Sequence, residues 1–128
     1  MWARLTTCLI LASAAAGCAA EYDIAHEGPA QAPGPDAVAL EEAVATIAQS
    51  HYAEAAAQLM SLSVRLQTQR DNRRAAESLF WLGYCYEKLG RTGEAAQAYG
   101  RVMREYPEQP ASHQAEQRLS QMPQADQP

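Results

Sequence analysis

Apolar residues recur at intervals of three and four along most of the chain, and short polar turns separate the runs. Leu40, Val44 and Ile47 stand at i, i+4 and i+7, with Ala37, Ala43 and Ala48 beside them, which predicts an amphipathic helix over residues 37–49 with Asp36 as its side-chain cap. Ser50-His51 makes a tight turn. Tyr52 then opens a second helix whose stripe is Ala55, Leu59, Leu62 and Leu66. Asp71 or Asn72 caps a third, in which Leu79, Leu82, Tyr86 and Leu89 share one face. In that helix Gly83 allows a neighbouring helix to come close, and Gly90 ends it in the left-handed conformation. Thr92 caps a fourth helix from Gly93 to about Tyr106, with Ala95, Ala98, Tyr99, Val102 and Tyr106 facing inward and Pro107 as the stop. Pro110 and Ser112 begin a fifth, with Ala111, Ala115, Leu119 and Met122 on one side. Residues 123–128 read as a polar, disordered tail.

The first four helices form two hairpins that align with each other. The run from Ser50 to Ala56 (Ser-His-Tyr-Ala-Glu-Ala-Ala) falls on the run from Gly90 to Ala96 (Gly-Arg-Thr-Gly-Glu-Ala-Ala) at a spacing of 40 residues, so that Leu59 matches Tyr99 and Leu62 matches Val102. The Glu-Ala-Ala triplet marks where the second helix of each hairpin crosses the first, a place with room only for alanine.

Composition agrees with helices. Hydrophobic residues make up 48% of the 128-residue chain and charged residues 20%, values of a globular protein, and much of the apolar content is alanine while strand-favouring residues are scarce. The net charge of -5 is uneven. Residues 19–60 contain seven acidic residues and no Lys or Arg, and the nine basic residues that follow are matched by eight acidic ones. No general basic patch results, which argues against a nucleic-acid partner.

The N-terminal residues read as an address. Arg4 is a minimal positive region, residues 5–16 are uncharged and too short to span a bilayer as a helix, and small residues lead to Cys18. Ala15-Ala16-Gly17-Cys18 resembles the lipobox of bacterial lipoproteins, although Leu is usual where Ala15 stands. On this reading residues 1–17 are a lipoprotein signal peptide and Cys18 carries lipid. Residues 18–35, with Gly28-Pro29 and Pro33-Gly34-Pro35, form the anchor and a flexible tether of about 20–25 Å reach. Ala19 rather than Asp after the cysteine favours the outer membrane, facing the periplasm. The other reading is an ordinary signal peptide with Cys18 incidental.

Catalytic chemistry is not indicated. Cys8 leaves with the signal and Cys18 takes lipid, so Cys85 is the one thiol left in the folded part, where it reads as a buried structural group. His26, His51 and His113 lack companions at metal-ligand spacing, Glu41 and Glu42 point about 100° apart on their helix, and no phosphate loop or serine elbow is present. No enzyme, no cofactor and no metal are expected.

Residues 76–107 resemble a tetratricopeptide repeat, with Leu82, Gly83, Tyr86, Ala95, Tyr99 and Pro107 at the family's positions. Val102, where a small residue is usual, and Leu79, where an aromatic is usual, depart from the pattern. The run Phe80-Trp81-Leu82-Gly83, the Tyr106-Pro107 ending, and Pro110-Ala111 leading to Ala115 and Leu119 are similar to the repeats of envelope proteins such as the periplasmic Tol-Pal coordinator and outer-membrane assembly lipoproteins. The first hairpin keeps Ala43, Tyr52, Glu54 and Ala55, has Gln69-Arg70 where the subtype has Tyr-Pro, and carries a second helix about a turn longer.

The resemblance implies an all-α, right-handed α-solenoid over residues 36–122, two tetratricopeptide-like hairpins plus a C-terminal capping helix. It also implies a protein or peptide partner in the cell envelope. By analogy Glu77, Phe80, Tyr84, Glu87 and Lys88 line the partner groove, with Leu40 and Val44 from the first hairpin; for Phe80 and Tyr84 the alternative is core packing. Arg65, Arg70, Arg73 and Arg74 form a second candidate surface, for anionic partners, with a solvated corner as the alternative. The function expected is a membrane-anchored periplasmic interaction scaffold. The alternative is a structural subunit or homo-oligomer with no free groove, since a two-repeat array gains stability from a partner or a second copy.

Overall fold

The computed structural model describes residues 32–123 of the chain. Five helices follow one another: α1 (Pro35–Ala48), α2 (Tyr52–Thr68), α3 (Asn72–Lys88), α4 (Thr92–Glu105) and α5 (Pro110–Gln121). They are all-α among the described residues and pack as successive neighbours of a helical solenoid. α3 is the hub, touching each of the other four helices. The expected signal peptide, Cys18, His26, most of the tether and the tail at 124–128 lie outside the described residues.

The first three turns are made the same way. Ser50, Arg70 and Gly90 sit 20 residues apart and all take left-handed backbone, with φ of 66°, 60° and 75°. At each, two backbone bonds close the helix end: Ser50 N–H and His51 N–H donate to Ile47 and Thr46 carbonyls, Arg70 and Asp71 to Gln67 and Leu66, and Gly90 and Arg91 to Glu87 and Tyr86. This double closure satisfies carbonyls that the helix itself leaves free. It turns the chain in three residues and so sets each helix antiparallel to the one before it.

The caps differ from the sequence expectation in two places. Gly34, not Asp36, occupies the cap position of α1, and Asp36 instead pairs with Arg65 of α2 at 3.1 Å. α4 begins at Thr92 itself, with Arg91 at the cap and no side-chain bond there. Asp71 does cap α3, accepting from Arg74 N–H at 3.2 Å. Its carboxyl is held below the ordinary value of 3.8, first by the hydrogen bond from the Arg74 side chain at 2.7 Å.

The core follows the predicted stripes of α2 and α4, with Ala55, Leu59, Leu62 and Leu66 from one and Ala95, Ala98, Tyr99, Val102 and Tyr106 from the other all buried. In α5, Ala111, Ala115 and Met122 are buried and Leu119 is half-buried. Burying a leucine of this kind contributes about 2 kcal/mol. α2, with 17 residues against 14 in α4, is about a turn longer, as the comparison of the hairpins implies. Two apolar positions differ. Leu89 is exposed, because it caps α3 after the helical face has ended, and Ala48 is exposed for the same reason at the end of α1.

α3 is buried around most of its circumference through small residues, Ala75, Ala76, Ser78, Gly83 and Cys85, interleaved with Leu79, Phe80 and Leu82. A Cβ built on Gly83 would lie 2.7 Å from Cε1 of Tyr99, so the glycine is what admits the tyrosine ring of α4. Cys85 is fully buried, and burial pushes its thiol up to about 11, consistent with a packing role and not a reactive thiolate.

Candidate functional site: a cleft along the central helix

On the side of α3 not covered by α2 and α4, Arg73, Glu77 and Trp81 stand one helical turn apart on one line. With Arg74 they form one wall of a cleft of about 440 Å3 whose other wall is Ala37, Leu40, Glu41 and Val44 of α1. The same three residues wall a second cleft of about 260 Å3, closed on its far side by Gln109, Pro110, Ala111 and Gln114 at the start of α5. The two clefts therefore adjoin along that line of α3, on a surface that runs from α1 over α3 to α5. Trp81 is at its centre, half-buried, its ring edge-on to Phe80 and Tyr84 with centroids at 5.4 and 5.6 Å. That packing holds the indole in one orientation and leaves one side open to the cleft.

The structure places the sequence-derived groove residues in three different situations. Glu77, Leu40 and Val44 line the cleft. Phe80 does not: it is 9% exposed and packs against Tyr99 at 5.6 Å, because successive helical residues point about 100° apart and the groove face belongs to Trp81. Glu87 is committed elsewhere. It receives Arg118 of α5 bidentately, at 2.7 and 3.2 Å, and the Tyr99 hydroxyl donates to it at 2.9 Å. Tyr84 lies between two cations, Lys88 and Arg118, each 5.3 Å from its ring centroid. Tyr84, Glu87, Lys88, Tyr99 and Arg118 thus make a polar clasp that fastens α5 to the second hairpin. Burial, reinforced by the bond to Glu87, raises the Tyr99 phenol well above its ordinary value of 10, so it stays protonated and remains a donor.

The four arginines do not form one patch. Arg65 pairs with Asp36, Arg74 with Asp71, and Arg70 is exposed at the left-handed turn. Arg73 alone is turned to both clefts and has no ion pair among the described residues. Sequence reasoning missed Trp81 and the α5 side of the groove. The line Arg73, Glu77, Trp81 at i, i+4 and i+8 was the available signal.

Comparison with known proteins gives one decisive observation. Residues 77–108 match the family model of the tetratricopeptide repeat. The tetratricopeptide segment begins at Glu77, in the groove wall of α3, and runs past the end of α4, so it contains both Gly83 and the Tyr99 ring that packs on it. No curated protein and no solved structure matches the chain. Among the described residues there is no group of three His, Cys, Asp or Glu side chains placed to hold a metal ion, and no helix long and apolar enough to cross a membrane. The tetratricopeptide repeat points to a protein-interaction module.

Proposed function

We propose that this protein is an interaction scaffold of the bacterial cell envelope, anchored by lipid at Cys18 and receiving a partner segment in the α1–α3–α5 groove. The observation that carries the reading is the groove itself. Two adjoining clefts, lined by apolar and charged residues and sharing the aromatic side chain of Trp81, lie on the face presented by the first helix of each hairpin, beside the tetratricopeptide match. The small-residue run before Cys18 supports the anchor, and Ala19 supports the outer membrane with the domain facing the periplasm.

A second reading has its own observation. Met60 and Val64 of α2, one turn apart, are 49% and 59% exposed on the opposite side of the molecule, which favours a structural subunit or a homo-oligomer assembled through that surface. The two readings predict different mutants. Val44→Glu, in a half-exposed groove wall, is expected to remove the partner from crosslinked complexes pulled from the envelope, and Cys18→Ala to shift the protein into the soluble fraction. Partner retention in the first mutant contradicts the groove, and membrane retention in the second contradicts the anchor.

A further inference from the structure

We infer that the groove reads an extended segment with an acidic, a basic and an apolar residue at alternate positions, the basic one in the middle. The inference rests on the groove reading and deepens it. Its starting point is Glu77. The half-buried carboxylates of the described residues are Asp36, Asp71, Glu77, Glu87 and Glu94, and all but Glu77 are paired, with Arg65, Arg74, Arg118 and Arg91 respectively. Arg74 is a Coulombic neighbour of Glu77 in the same cleft but bonds to Asp71, so among the described residues the Glu77 carboxylate has no cation in direct contact and an incoming one is favoured there.

The neighbours of Glu77 give the order. Arg73, one turn before it, is also without an ion pair among the described residues, and Trp81, one turn after it, offers an open aromatic side. One turn of four residues advances about 6 Å along a helix, and two residues of extended chain advance about 6.6 Å. An extended segment lying along the seam between α1 and α3 therefore presents every second side chain to Arg73, Glu77 and Trp81 in turn. The acidic residue meets Arg73, the basic residue meets Glu77 with Glu41 across the cleft, and the apolar residue meets Trp81. The two charged contacts also exclude the opposite charges, because an acidic residue at the middle position would face Glu77 and a basic one at the end would face Arg73.

The test uses the lipid-anchored protein in detergent, made from a chain with Trp2→Phe so that any unprocessed precursor also has Trp81 as its sole fluorescent indole. Two end-blocked peptides are titrated to millimolar concentration, Asp-Ser-Lys-Ser-Leu and Lys-Ser-Asp-Ser-Leu, blocked to remove terminal charges. The first is expected to shift Trp81 emission with saturation and to bind at least about tenfold more tightly than the second. In the double variant Arg73→Glu/Glu77→Arg the preference is expected to reverse. Both substitutions are on the open face of α3, and helical circular dichroism checks that the variant is folded. Equal binding of both peptides, or a preference unchanged in the double variant, overturns the charge order and leaves the groove standing. If neither peptide moves Trp81, the charge order is also overturned, and the groove is judged separately by the Val44→Glu complexes.

Discussion

Arg70 and Ser50 occupy left-handed positions that an L side chain enters at a cost of about 1–2 kcal/mol, while the third equivalent position has glycine. Arg70→Gly is therefore expected to stabilise the domain by about 1 kcal/mol, raising Tm by a few degrees in a thermal melt. Tyr99 gives a residue-scale prediction in pH. Its folded-state value is raised above that of the unfolded chain, so its contribution is complete below about pH 10 and is lost as pH rises beyond that toward the raised value. Tyr99→Phe should cost about 1–2 kcal/mol at pH 7 and cost less as the pH climbs above 10, a difference read from paired denaturant titrations. At this scale the sequence was informative where a residue has one geometric reason to be present. Gly83 and Gly90 are such residues. Phe80 and Trp81 are adjacent and equally aromatic, and only the packing of α3 against four helices decides which of them turns to the groove.

Among the elements, α5 is held by a cluster of polar contacts as well as by its alanines. The Arg118 bond to Glu87 and the cation over Tyr84 fasten it to α3, while Ala111 and Ala115 supply the apolar contact. Glu87→Gln is expected to lower amide-exchange protection in α5 by about tenfold and leave that of α2 unchanged. A uniform loss across all helices would mean that the clasp acts on the whole fold and not on α5. Helix number, turns and buried stripes were legible because periods of three and four residues, prolines and glycines are local signals. The clasp was not, because it joins residues 31 positions apart whose meeting depends on the angle at which α5 crosses the second hairpin. The same holds for the arginines, which the sequence clusters and the fold distributes to Asp36, Asp71 and the cleft.

For the whole molecule, the two halves of the surface carry competing readings. The α1–α3–α5 side has clefts with an aromatic centre and two charges, Arg73 and Glu77, without an ion pair among the described residues, and the α2 side has the exposed pair Met60 and Val64. A pattern of stripes shows that both sides exist, and it cannot rank them, since a groove is a property of the space between helices. A photoreactive residue placed in living cells at position 44 on one side and position 64 on the other ranks them directly. The groove reading predicts a discrete crosslinked adduct from position 44 and none from position 64. An adduct from position 64 with none from position 44 would contradict it.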